Sequence, residues 1–139
     1  MKKHLAAGGK EVKKVSVIIP YKDEAKYIKD CVSTIPESAE IEILLVADGG
    51  KETVPQWVFE DQRISVILPE AGKGGVAACR NLGIQKARGE YVYFLDADDY
   101  VAEPALSALM EAAGEERLLL TGPVAYSWYS PINFTPDRI

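Results

Sequence analysis

The sequence predicts an α/β protein built on a doubly wound, mostly parallel sheet with helices on both faces. Two observations carry that prediction. Short apolar runs rich in β-branched or large residues occur at 15–20, 41–47, 64–68, 91–95 and 118–121, and they read as strands buried on both faces. Between them apolar residues recur at helical spacing, giving a β-α-β-α-β-α-β order. Short connections in such an order imply right-handed crossovers and parallel strands.

Taken in order, residues 1–14 read as a flexible, solvated N-terminal tail, since Lys2-Lys3 leads only into a short run of Leu, Ala and Gly. That run is too short for a signal-peptide core. Ile28, Cys31, Val32 and Ile35 mark the apolar stripe of a first helix. Pro55 requires any second helix to be short, to begin at the proline or to break. Val76, Cys79, Gly83, Ile84 and Ala87 mark a third helix, and Leu106, Leu109, Met110 and Ala113 a fourth. Gly89 and Gly114 stand where helix C-caps belong, and Pro104 stands near a helix start.

Composition narrows the function. With 139 residues, 47% hydrophobic and 27% charged, the chain has the make-up of one globular domain. A net charge of -5 argues against general nucleic-acid binding, which needs surplus Lys and Arg. Cys31 and Cys79 lack metal-type spacing and read as core thiols. No apolar run approaches the ~20 residues that span a bilayer. The expected location is cytoplasmic, with any membrane association arising through parts outside this chain.

In doubly wound sheets ligands bind at the carboxyl ends of the strands, beside the point where strand order reverses. The residues just past the strand ends are 20–23, 48–51, 69–75 and 96–99, a concentration of carboxylates and glycines. Asp96, Asp98 and Asp99 follow a strand directly, and like charges that close need a cation or a proton. A hard divalent ion, Mg²⁺ or Mn²⁺, bound by one or two carboxylates plus substrate phosphates fits that need. A capping loop is the plainer alternative, because Asp is a common turn and N-cap residue. The metal reading leads for Asp98 and less strongly for Asp96.

Asp48 ends an apolar run and precedes Gly49-Gly50, where the backbone can turn sharply. Its carboxylate can accept a hydrogen bond from the imide N–H of a uracil ring, or it can simply belong to an Asp-Gly turn. Gly72-Lys73-Gly74-Gly75 lacks the spacing of a phosphate-binding P-loop and reads as a turn and helix cap. Arg80 reads equally as a solvated helix cation or as one turned into the crevice towards a pyrophosphate.

The stretches Val15-Ser16-Val17-Ile18-Ile19-Pro20, Ala77-Ala78-Cys79-Arg80-Asn81-Leu82-Gly83-Ile84 and residues 89–99 together resemble family 2 glycosyltransferases. The likeness extends over residues 15–126. It implies a GT-A fold of the nucleotide-diphospho-sugar transferase type, here truncated, with residues 15–139 as a nucleotide-sugar-binding GT-A-like domain. It further implies transfer of a sugar from a nucleotide diphosphate sugar, a UDP-sugar first among them, to an acceptor the sequence does not name. By the same likeness Pro20 and Tyr21 border the base, Asp48 binds it, Arg80 lies near the nucleotide, Asp96 approaches the ribose or sugar, and Asp98 ligates Mn²⁺ or Mg²⁺. Asp23 joins the candidate substrate-binding residues at the end of the first strand.

Three departures from the family pattern accompany the likeness. Ala47-Asp48-Gly49-Gly50 stands where Asp-Asp-Gly-Ser is common, and Lys22-Asp23 stands where an aromatic and Asn are usual. The third is the end at Ile139, short of the acceptor-binding half that supplies the catalytic base, so no catalytic residue is assigned. A binding module without transfer is therefore the second expectation. A receiver-like regulatory domain, phosphorylated at Asp48, is the third. Tyr126, Trp128, Tyr129 and Phe134 form an aromatic segment suited to packing, self-association or a missing acceptor domain.

Overall fold

The computed structural model describes residues 13–50, 53–101 and 105–112. Within them the order is β1 (Val15–Tyr21), α1 (Ala25–Ser33), β2 (Ile41–Ala47), α2 (Gln56–Glu60), β3 (Ile64–Ile67), α3 (Val76–Lys86), β4 (Tyr91–Phe94) and α4 (Ala105–Ala112). The expected strand at 118–121, the caps at Pro104 and Gly114, the aromatic C-terminal segment and residues 1–12 of the tail lie outside the described residues. Lys13 and Lys14 already bond to the sheet. Lys14 N–H donates to the carbonyl of Glu40 at 2.8 Å, and Tyr91 N–H donates to that of Lys14 at 2.9 Å.

The four strands form one parallel sheet in the order β3-β2-β1-β4. Period-two alternation divides its residues between two layers. Val15, Val17, Ile19, Ile41, Ile43 and Leu45 join Ile28, Cys31 and Val32 of α1, Val58 of α2 and Leu106 of α4 in one core. Ile18, Leu44 and Val46 meet Cys79 of α3 on the opposite face. Helices therefore cover both faces, as a doubly wound sheet requires.

Burial differs from the expectation at the outer strands. β1 and β2 are buried along their full length, while β3 and β4 are only partly so. Among the described strands β3 and β4 stand at the two ends of the order, with a neighbour on one side only. Pro55 directly precedes the five-residue α2, so the proline does set where that helix starts.

Gly89 has a different task from the one expected. The C-cap of α3 is Ala87 in extended conformation. Gly89 instead lets two backbones meet, because a Cβ there would sit 2.6 Å from the backbone N of Ser16. Its own N–H donates to Ser16 Oγ at 2.8 Å, and Ser16 Oγ–H donates to Glu42 Oε1 at 2.6 Å. Glu42, 4% exposed, also accepts from Arg88 N–H at 2.6 Å and from Arg88 Nε at 2.9 Å. A buried carboxylate is tolerable when so fully bonded.

Candidate functional site

The strand order reverses between β1 and β4, because α1 leads from β1 to one side and α3 carries the chain back across the sheet to the other. Pro20 helps open the gap at that point. It shares parity with Ile18, whose carbonyl accepts from Leu95 N–H at 3.0 Å on the β4 side. The missing N–H of Pro20 thus faces beyond the last β1–β4 pair, Ile18 with Phe94, where no ladder bond is lost.

A cavity of about 220 Å³ occupies this crevice, lined by Pro20, Tyr21, Lys22, Glu24, Asp48, Val76, Arg80, Asp96 and Asp98. Every sequence-derived candidate except Asp23 is among them. Lys22, Glu24 and Val76 complete the wall. Lys22 falls in the strand-end range 20–23 but was given no role of its own, Glu24 lies in a polar turn of ordinary composition, and Val76 reads as part of an apolar helix stripe. Tyr21 is 1% exposed and belongs to the α1-side core, so it forms floor and not a freely presented ring.

Asp23 stands to one side, with φ of 53°. It lies against Gly50, where a Cβ would sit 2.5 Å from Asp23 Oδ1. Two of the departures from the family pattern, at Asp23 and at Gly50, therefore face one another.

The acidic loop after β4 is pinned from α1. Ala97 is fully buried, which leaves its neighbours Asp96 and Asp98 exposed on the surface side. Cys31 Sγ–H donates to the carbonyl of Asp96 at 3.5 Å, and Val101 N–H donates to Thr34 Oγ1 at 2.9 Å. Asp99 N–H closes the turn on the Asp96 carbonyl at 3.0 Å. Burial pushes the Cys31 thiol up to about 12, with the charges of Asp99, Asp98, Glu24 and Asp96 adding to it. Both cysteines are buried and reduced, as core thiols are.

Electrostatics mark this loop as crowded with negative charge. Glu24 is raised above its ordinary value by burial, and a bond from Lys22 N–H opposes that rise while Asp98, Asp96 and Asp99 add to it. Asp99 is raised by burial and then by Asp98 and Asp96. The cationic counterpart is Arg80, whose Nη2 donates to Asp96 Oδ1 at 3.2 Å. Its guanidinium lies 5.9 Å from the Phe94 ring centroid. Of the two orientations open to Arg80, the structure shows the one into the crevice, and its buried Nε has no hydrogen-bond partner among the described residues.

No group of three or more His, Cys, Asp or Glu side chains placed to hold a metal ion occurs among the described residues. The donor set does suit a hard cation that draws most of its ligands from elsewhere. Asp98 and Glu24 both line the cavity, with Glu24 Oε1 accepting from Lys22 N–H at 3.1 Å, and Mg²⁺-type sites commonly use one or two protein carboxylates plus phosphate and water. Asp96 already accepts from Arg80 through Oδ1.

Asp48 is held from two sides. Its N–H donates to the Tyr21 carbonyl at 2.8 Å, fixing the end of β2 to the end of β1. Its Oδ2 accepts from Gly75 N–H, the N-cap of α3, at 2.8 Å. The glycine-rich segment is thus a turn and helix cap, closed at its start by Lys73 N–H on the Glu70 carbonyl at 3.0 Å.

Comparison with known proteins agrees with this fold. The sequence pattern described as glycosyl transferase family 2 matches residues 16–138. The chain is 35% identical over 114 residues to the uncharacterized glycosyltransferase EpsJ of Bacillus subtilis, spanning 78% of this chain and 33% of EpsJ. It is 32% identical over 108 residues to a Campylobacter jejuni GalNAc(5)-diNAcBac-PP-undecaprenol beta-1,3-glucosyltransferase, spanning 73% of this chain and 35% of that protein. The crystal structure of S. aureus TarS in complex with UDP-GlcNAc superposes with a TM-score of 0.63 at 29% identity, covering 70% of this chain and 30% of that one. A TarS complex with UDP matches equally, with a TM-score of 0.63. The chain spans only about a third of the length of such relatives. Among the described residues no helix is long and apolar enough to cross a membrane. The receiver-like alternative falls to the family match, and the chain belongs to glycosyl transferase family 2.

Proposed function

We propose that this chain carries the donor site of a transferase that moves a sugar from a UDP-sugar to an acceptor, with Mn²⁺ or Mg²⁺ in attendance. The observation that supports it most is the convergence of Asp48, Arg80, Asp96 and Asp98 on one cavity at the strand-order reversal. The UDP and UDP-GlcNAc complexes of the TarS neighbours favour uridine as the base.

In this reading Pro20 and Tyr21 form the floor beneath the base, and Asp48 accepts a hydrogen bond from the uracil imide. Arg80 neutralises diphosphate charge, and Asp96 meets the ribose or sugar. Asp98 holds the cation, with Asp96 or Glu24 as a second carboxylate. A divalent ion bound there supplies Lewis-acid stabilisation of the charge that develops on the departing diphosphate. Together these groups favour departure of the nucleotide, since fixed charges aimed at developing charge lower a barrier most effectively.

Saturation-transfer NMR tests the reading directly. With UDP and Mg²⁺, which leaves the lines sharp, the uridine base and ribose protons should take up saturation from the protein. An equal response from ADP, or none from UDP, would refute it.

A further inference from the structure

The base-reading role of Asp48 depends on a carboxylate held in one place, and the fold supplies a device for that. Oδ2 is engaged by Gly75 N–H at 2.8 Å. Oδ1 lies so close to Gly74 that a Cβ on that residue would overlap it outright. Gly75 has a φ of 109°, a conformation that L side chains rarely adopt. Directly below, Cys79 N–H donates to the Gly75 carbonyl at 2.9 Å, so the turn is continuous with the first turn of α3. Burial, and then the Asp48 charge with its bond to the sulfur, raise the Cys79 thiol, which keeps it protonated beside the carboxylate.

We infer that Gly74 and Gly75 are positioning residues for base selection, locking Asp48 so that Oδ1 accepts the uracil imide and rejects cytosine. The inference rests on the proposed uridine site. Uracil carries a donor N–H at ring position 3, whereas cytosine carries a lone pair there, and a fixed carboxylate oxygen attracts the first and repels the second. A mobile carboxylate would turn away from cytosine and lose that discrimination. Selectivity of this kind arises from unpaired or repelled polar groups in a rigid site. Gly74 has no Cβ because Asp48 occupies the space, and Gly75 supplies the bond that keeps it there.

The test is a double-mutant cycle on the full chain, measuring UDP and CDP affinity by calorimetry for the wild type, Gly74→Ala, Asp48→Ala and the double variant. Gly74→Ala should weaken UDP about tenfold, the scale of one misplaced charge-assisted hydrogen bond, and leave CDP within about twofold. In the Asp48→Ala background it should change neither, because no carboxylate remains to displace. Lys73→Ala, on the exposed neighbour, should leave both affinities unaltered. Equal losses for UDP and CDP, or the same loss without Asp48, would overturn the positioning role while leaving the uridine site intact. Unchanged UDP affinity in Asp48→Ala alone would remove the base-reading role itself. Should Gly74→Ala not fold, amide exchange at Gly75 decides: slow in the wild type and fast in Asp48→Ala is expected, and equal rates would refute the lock.

Discussion

Arg80 Nη2 donates to Asp96 Oδ1 across 3.2 Å, joining the second turn of α3 to the loop that follows β4. Both side chains are about half exposed, so the pair contributes little to stability. It holds the Arg80 guanidinium in the wall of the cavity. Arg80→Ala should therefore change folding stability by less than about 1 kcal/mol. The same change should weaken UDP binding about tenfold or more, as expected for loss of a charge-assisted contact. Paired thermal melts and calorimetric titrations check it, and a large fall in melting temperature with unchanged affinity would reverse the assignment.

Glu42 gives a pH prediction of definite sign. Burial pushes its carboxyl up, but the bonds from Ser16 Oγ and from the backbone and side chain of Arg88 outweigh that and hold it below its ordinary value of 4.5. A carboxylate with a depressed folded-state pKa stabilises the fold above its unfolded value and loses that contribution as pH falls through the folded one. Stability should thus decline below about pH 4.5 more steeply in the wild type than in Glu42→Gln. Glu42→Gln should itself cost about 2–4 kcal/mol at neutral pH, because Arg88 loses its charged partner and one acceptor becomes a donor. Urea denaturation across a pH series checks both.

Gly89→Ala tests the close backbone approach beside that network. With Ser16 N only 2.6 Å from the added Cβ, the β1–β4 pairing must shift. A loss of about 2 kcal/mol or more is expected, well above the roughly 1 kcal/mol gain that Ala brings where a glycine has room. Urea midpoints measure it, and a stabilised variant would show that the approach is looser than the geometry has it.

The layers were legible because their determinants are local. β1 and β2 are apolar, β-branched and bounded by polar turns, and Pro55 limits α2 to a helix that is short, begins at the proline or breaks, of which the five-residue helix after Pro55 is the outcome. The crevice was legible through the rule that ligands meet strand ends, which brought Asp48, Asp96 and Asp98 together without a motif. What the sequence hid depends on contacts between distant segments. Gly75 and Asp48 are 27 residues apart, and Gly89 and Ser16 are 73 apart. A glycine's role as a cap, a hinge or a close approach is decided by the neighbour it meets, and only the strand order supplies that neighbour. Arg80 was ambiguous for the same reason, since its direction depends on where β4 falls.

Gly50 and Asp23 offer a test of two family departures that face one another. Gly50→Ser would restore the commoner residue, yet its Cβ would sit 2.5 Å from Asp23 Oδ1, on a backbone with φ of 100°. The substitution should destabilise the wild type by about 1–3 kcal/mol. It should cost less in an Asp23→Ala background, where the carboxylate is gone. Additive losses in a thermal-melt cycle would show that the two sites are independent.

On the proposed reading the donor site binds UDP with a divalent cation held by Asp98. The most direct measurement is calorimetric titration of UDP into the chain with Mn²⁺ and again with EDTA, for the wild type and Asp98→Ala. EDTA should weaken binding in the wild type, and Asp98→Ala should bind with an affinity that is low and indifferent to metal, with the fold intact. Equal metal dependence in both proteins, or no UDP binding by the wild type under either condition, would contradict it.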